Sequence, residues 1–293
     1  MMTESVLEQW GVDGEQIVAA ARQEVGEGDL YLGGSLADDL GTPSSDVDLY
    51  CFVPTGGSGR RRVELVGHRA VMLELHVVDV GHELSTADSL VPLVTMPEPP
   101  PPGHWPFLTG ASFRAFHALL CDRPLAADHG AAERMRGTLG VDLLPIYVAL
   151  RASSAASSLA LEAAQMAAAD SILSALHCAR SAVELALDAA LAAVGSVSAN
   201  PKSRLTLARR VGLYSDDGGL VPLAALFPDH RAPDDAVARC QRVTVDLLGL
   251  VAGDAFLARY PTVSTAVDRI RAATGARAAT GSAAATGAPA VTA

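Results

Sequence analysis

Two spacings of apolar residues run along this chain, and they change over near residue 109. Residues 3–25 carry Val6, Leu7, Trp10, Ile17, Val18, Ala21 and Val25 in a ragged helical stripe, broken near Gly11 and Gly14. That predicts a helix or two. Leu30-Tyr31-Leu32 is a short apolar run that stops at Gly33 and Gly34, so a strand over 29–32 ends in a turn. A short helix over 36–40 follows, ended by Gly41, Thr42, Pro43, Ser44 and Ser45. Asp46 and Asp48 then head a second strand, Leu49-Tyr50-Cys51-Phe52-Val53. Residues 54–59 read as a flexible turn. Residues 61–66 and 70–80 are β-like runs that Gly67-His68 closes into a hairpin. On the second of these, Met72, Glu74, His76 and Val78 share one face, and Leu73, Leu75 and Val77 share the other.

Seven prolines between residues 92 and 106 interrupt both patterns, because proline cannot continue a sheet or a helix interior. This run is the expected domain boundary. Beyond it the spacing is helical: a start at Phe113 and Phe116, a loop at Arg123-Pro124-Leu125, then helices over 128–139, 142–168 and 170–194. In the last, Ile172, Leu176, Ala179, Val183, Leu187, Leu191 and Val194 recur at spacings of three and four. His177, Arg180, Glu184 and Asp188 occupy the opposite face, which either meets solvent or lines a substrate cleft. A loop at 195–201 precedes a cluster of Lys202, Arg204, Arg209 and Arg210. Short apolar pieces at 219–228 lead to helices over 234–258 and 262–274. Residues 275–293 are rich in Ala, Thr and Gly without periodicity and read as a disordered tail. The expected architecture is α+β: a mixed-sheet domain over 1–91, a connector over 92–108, and a helical bundle over 109–274.

Composition narrows the partners. Hydrophobic residues make up 49% of 293 and aromatics only 4%, so burial rests on Ala, Leu and Val packed closely in helices. The net charge of −11 repels a polyanion on average, which argues against RNA or DNA as the main partner. Cys51, Cys121, Cys178 and Cys240 form no CxxC pair and read as buried free thiols of a reducing compartment, with no zinc site expected. The N-terminus lacks the basic-then-apolar pattern of a signal peptide. No uncharged apolar run reaches the roughly 18 residues of a membrane span. A soluble, cytoplasmic protein is expected.

The candidate chemistry lies between residues 33 and 48. Asp46 and Asp48 are two positions apart on a strand and project from one face. Two such carboxylates repel unless a cation lies between them, and hard oxygen ligands suit Mg²⁺, which takes one or two carboxylates and completes its shell with phosphate. Glycines ahead of Ser35 allow backbone N–H groups to approach a phosphate, and a helix starting there adds its positive end. Gly34-Ser35, ten residues, then Asp46-Val47-Asp48 resembles the signature of the DNA polymerase β-like nucleotidyltransferase superfamily, and is most similar to its small-molecule branch, the aminoglycoside 3''-adenylyltransferases. The resemblance covers about residues 25–80 well and the rest in layout only.

The resemblance implies a third acidic residue on a later strand. Glu74 matches it, with Glu64 as rival and an exposed edge-strand position for Glu74 and His76 as the alternative. It implies Asp46, Asp48 and Glu74 as metal ligands and catalytic groups. It places Gly34, Ser35 and Ser45 on phosphate, with Lys202, and after it Arg204, reaching the triphosphate from the basic cluster. Glu74 would complete a metal site or take the acceptor's proton. The implied reaction is Mg²⁺-dependent transfer of a nucleoside monophosphate, AMP from ATP, to a hydroxyl of a small molecule, in a monomer or a homodimer. Two alternatives stand beside it: an antitoxin-type enzyme that adenylylates a protein, and a non-catalytic nucleotide-binding protein.

Overall fold

The computed structural model describes residues 2–42, 44–68, 70–96, 102–127, 129–140, 142–213, 223–226, 231–254, 257–260 and 263–273. The expected tail at 275–293 and part of the proline run lie outside them. The fold is α+β, with a five-stranded mixed sheet and many helices. The chain divides into two compact units, Met1–Leu144 with Val197–Ser203, and Pro145–Ser196 with Arg204–Ala293.

The first unit opens with α1 (Met2–Trp10) and α2 (Gly14–Val25). Asp13 and Gln16 start α2 with a reciprocal capping box, each side chain accepting the other's backbone N–H. The sheet follows: β1 (Asp29–Leu32), the single helical turn α3 (Gly34–Ala37), β2 (Val47–Val53), β3 (Gly59–Val66) and β4 (Ala70–Asp79). Strand order is β3-β4-β2-β1-β5, with β5 the short strand Pro124–Ala126. β2 and β4 run parallel, while β1–β2, β1–β5 and β3–β4 are antiparallel.

Strand alternation divides the labour between the two faces. Leu30, Leu32, Val47, Leu49, Cys51, Val71, Leu73 and Leu75 point to one face and are buried against Val6, Leu7, Trp10 and Ile17 of α1 and α2. The intervening residues, Asp48, Tyr50, Glu74 and His76 among them, therefore point to the other. The sheet is anchored at its opposite end by Asp29, which is fully buried. Its carboxylate accepts N–H donors from His129 and Ala132, each at 2.8 Å, at the start of α7 (Ala131–Leu139). Two donors and a helix N-terminus satisfy a charge that burial would otherwise disfavour.

Several elements depart from the sequence expectation. The helix expected at 36–40 is one turn that begins at Gly34 and ends before Asp39, whose φ is 56°. The second strand begins at Val47, so Asp46 precedes it. Pro124 sits in a strand and not in a loop. β5 is at the sheet edge, where a proline's missing N–H costs no ladder bond. β4 leads directly into α4 (Val80–Leu90), whose N-cap Asp79 accepts the His82 N–H at 3.0 Å. The proline run is not where the first unit ends. After α5 (Pro92–Thr95), α6 (Gly110–Cys121) packs on β1 and α3, β5 pairs with β1, and α7 meets α4 and β2. These contacts carry the unit on to Leu144.

The second unit contains α8 (Leu143–Ala168) from Pro145 on, α9 (Ile172–Ala193), α10 (Arg204–Arg210), α11 (Leu223–Leu226), α12 (Pro233–Gly253) and a helix at 263–273. The apolar stripe of α9 is buried from Leu176 to Leu191, and α9 packs along α12. Small residues such as Ala179, Ala182 and Ala186 on that stripe allow close helix approach. α8 is long and apolar enough to cross a membrane by length and composition, but 61% of that window is buried within the protein. Arg204 does not point a free guanidinium at a ligand. Its Nε and Nη2 donate to the two Asp188 carboxylate oxygens at 2.6 and 2.8 Å, and its Nη1 to Glu184 at 3.3 Å. The polar stripe of α9 is thus split, with His177 and Arg180 exposed and Glu184 and Asp188 half-buried on Arg204.

Candidate active site

Strand register assembles the site. The parallel pairing of β2 and β4 sets Asp48 opposite Glu74 and Tyr50 opposite His76. The antiparallel pairing of β3 and β4 then sets Arg62 opposite Glu74 and Arg60 opposite His76. Directly paired residues share a face. The result is two cross-strand rows on the uncovered side, Asp48–Glu74–Arg62 and Tyr50–His76–Arg60.

Contacts within the rows are close. Arg62 Nε donates to Glu74 Oε1 at 3.0 Å, and Arg60 Nη2 pairs with Glu74 Oε2. His76 Nε2 lies 3.5 Å from Asp48 Oδ1 and 3.9 Å from Glu74 Oε2. The His76 ring stacks on Tyr50 with centroids 4.7 Å apart and planes 10° from parallel. Burial works to raise the Glu74 carboxyl, but the hydrogen bonds from Arg60 and Arg62 outweigh it and hold Glu74 below the ordinary carboxylate range. Burial, and next the Asp48 charge, push the Tyr50 phenol up to about 12, so Tyr50 remains a neutral donor.

The glycine turn closes one end. A Cβ on Gly33 would strike the Tyr50 ring, and one on Gly34 would strike Asp48 Oδ2. Gly34 also has φ of 57°, which side-chain-bearing residues adopt at a cost. The turn therefore lies directly against the Asp48 carboxylate, and Gly33 N–H donates to the Asp48 backbone carbonyl at 2.8 Å. Ser35 and Ser45 meet here: Ser35 Oγ donates to Ser45 Oγ at 3.3 Å, and Ser45 Oγ accepts the Thr42 N–H at 2.9 Å.

Of the residues singled out by sequence, Asp48, Glu74 and Gly34 line one cavity of about 290 Å³. His76, Arg60, Arg114 and Asn200 complete much of its wall. Asp48, Glu74 and His76 each offer an atom within 4.8 Å of the others, a set able to hold a metal ion. Asp46 is exposed ahead of β2 and is not part of that set. Glu64 pairs with Met72 and is exposed, away from Asp48. Lys202 is exposed in the turn Pro201–Ser203, with its N–H donating to Asn200 Oδ1 at 3.0 Å. Its neighbours Asn200 and Pro201 line the cavity, and Lys202 itself does not.

Sequence reasoning missed three arginines. Arg60 and Arg62 were legible in principle: a hairpin closed at Gly67-His68 fixes Arg62 across from Glu74. Arg114 had no local signal. It comes from α6 and hydrogen-bonds Tyr50. Two carboxylates able to hold a hard cation, flanked by guanidiniums that attract phosphate, suit chemistry at a polyphosphate.

Residues 15–88 match the family model described as a nucleotidyltransferase domain. The match spans α2 through most of α4 and includes Gly34, Asp48 and Glu74. No curated protein matches the chain. The chain carries a nucleotidyltransferase domain, and the activity of that domain is nucleotidyl transfer.

Proposed function

We propose that this enzyme transfers AMP from ATP to a hydroxyl of a small molecule and releases pyrophosphate, with Asp48 and Glu74 as the core of the site. The observation that carries this reading is the in-register pairing of Asp48 with Glu74 beside the Gly34 turn. In the reaction a bond forms between the acceptor oxygen and the α-phosphorus. The bridging P–O bond to the β-phosphate breaks, and pyrophosphate leaves with its electrons. The acceptor's proton passes to solvent.

Such transfer needs charge neutralisation and alignment more than covalent help from the protein. Asp48 and Glu74 would hold Mg²⁺, with Asp46 just ahead of the strand, and the ion would supply neutralisation of phosphate charge and polarisation of the acceptor oxygen. Gly34 exposes its backbone to the β- and γ-phosphates, and Ser35, fixed by Ser45, offers a hydroxyl beside it. Arg60 and Arg114 draw the triphosphate into the cavity, with Lys202 at its margin. Glu74 is held ionised by its two arginines, and a base works best with a pKa near the operating pH. Its role is therefore that of a fixed charge and ligand, not of the proton acceptor. The cavity is at the small end for ligand sites, and the acidic chain disfavours a nucleic-acid acceptor.

The test is pyrophosphate release by the full chain with Mg²⁺, ATP and a panel of hydroxyl-bearing small molecules that includes aminoglycosides. Asp48→Asn and Glu74→Gln should each lower turnover by about 10²-fold or more, the scale of losing one charge-stabilising group. Turnover unchanged in both variants refutes the assignment. AMP appearing on a protein instead of any small molecule refutes the acceptor class.

A further inference from the structure

Both carboxylate oxygens of Glu74 are taken by arginines. Arg62 Nε donates to Oε1 at 3.0 Å, and Arg60 Nη2 pairs with Oε2. The two oxygens are not equivalent. Oε2 faces the rest of the metal-capable set: His76 Nε2 lies 3.9 Å from it and 3.5 Å from Asp48 Oδ1. The Arg60 guanidinium therefore covers the oxygen that a cation between Asp48, Glu74 and His76 would need. Two positive charges on one carboxylate oxygen repel at contact distance, so arginine and metal compete for it.

The two arginines differ in what surrounds them. Arg60 lines the cavity together with Arg114, and Arg62 does not. Arg60 is the second residue of β3, an edge strand, and its side chain is 56% exposed. Its guanidinium can leave Glu74 without moving the core, and an ion pair with so exposed a partner is weak. A triphosphate in the cavity offers more charge than one carboxylate, and oxygens spaced for a two-point contact with guanidinium. Arg62 stays on Oε1 and keeps the carboxylate aimed while Oε2 is released.

We propose that Arg60 is a positioning residue that makes the metal site conditional on the nucleotide: its guanidinium covers Glu74 Oε2 until a triphosphate in the cavity draws it away, and Glu74 then presents that oxygen to a divalent cation. The consequence is an order of binding, in which the metal settles with the triphosphate or after it. The identity of the anion rests on the reaction proposed above. The competition between Arg60 and a cation for Glu74 rests on the geometry of the three strands alone.

The experiment uses the full chain without nucleotide and Mn²⁺ alone as the probe, with binding followed by loss of the free ion's electron paramagnetic resonance signal. Arg60→Gln should bind Mn²⁺ about fivefold or more tightly than wild type, the upper range for removing an exposed ion pair. Arg61→Gln is the control. It loses the same charge one residue on, but Arg61 points to the opposite face and donates to the Glu24 carbonyl, so its Mn²⁺ affinity should stay within about twofold of wild type. Adding Glu74→Gln to Arg60→Gln should remove the gain. In a second arm without metal, inorganic tripolyphosphate is titrated by calorimetry, and Arg60→Gln should weaken its binding by about fivefold or more. Unchanged or weaker Mn²⁺ binding in Arg60→Gln, an equal gain in Arg61→Gln, a gain that survives Glu74→Gln, or tripolyphosphate binding indifferent to Arg60 would each overturn the proposal. Neither arm reads turnover, so a chain that shows both effects and transfers no nucleotide keeps the Arg60 exchange and loses only the reaction.

Discussion

Substituting Gly34 by alanine separates two costs that the structure combines at one residue. The backbone cost comes from φ of 57°, and a side-chain-bearing residue in the left-handed region loses about 1–2 kcal/mol. The steric cost comes from the new methyl, which would fall on Asp48 Oδ2. Gly130 is the control. Its φ is 64° in the same unit, and the nearest atom to a Cβ there is the flexible end of Arg134 at 4.0 Å. Gly34→Ala and Gly130→Ala should therefore lower the melting temperature by comparable amounts, about 2–8 °C at roughly 2–4 °C per kcal/mol. Only Gly34→Ala should displace the Asp48 carboxylate. A misplacement near 1 Å is worth about 10²-fold in rate, so pyrophosphate release should fall by about that factor in Gly34→Ala and by less than about threefold in Gly130→Ala. The assays are thermal unfolding by circular dichroism and steady-state turnover. Equal turnover in the two variants refutes the claim that the turn positions Asp48 by contact.

Two further perturbations probe other parts of the chain. Arg204→Ala leaves Asp188 half-buried without its bidentate partner; burial already raises the Asp188 carboxyl. The expected loss is about 2–3 kcal/mol, under the ~3–5 kcal/mol of a fully buried pair, measured by urea unfolding followed by circular dichroism, and a loss under about 0.5 kcal/mol removes the clamp from the account. Asp79 accepts the N–H groups of His82 and Gly56, and these bonds depress its pKa below the ordinary 3.8. A depressed carboxylate adds stability above its unfolded pKa and loses it as pH falls through the folded one, so the melting-temperature gap between wild type and Asp79→Asn should be largest near neutrality and shrink below pH 3.8; a gap that widens in acid contradicts the sign.

What the sequence made legible follows from periodicity and what it hid follows from distance. Asp48 and Glu74 could be placed because each alternates with leucines on its own strand, and alternation assigns the face. Asp46 was set on the same strand, but the strand begins one residue later, and strand ends are decided by pairing partners that a single segment does not reveal. Pro124 hid β5, since a three-residue strand at an edge has no period to detect. The proline run misplaced the boundary because α6, β5 and α7 return to the sheet through contacts remote in sequence. Arg114 of α6, joined to Tyr50 of β2, was hidden for the same reason. Each residue is ordinary in its own segment and acquires chemistry only from what folding brings beside it.

The alternation that builds the two cross-strand rows also bears on how the chain finds its register. A slip of one residue in β2 or β4 would exchange Leu49 and Leu75 with the carboxylates of Asp48 or Glu74. It would drive a charge among the apolar side chains beneath α1 and α2. The residues that equip the domain for phosphate chemistry thus act as proofreaders during folding. A variant in which both were neutralised would lose more than turnover: it would lose the penalty that makes misaligned strands unprofitable.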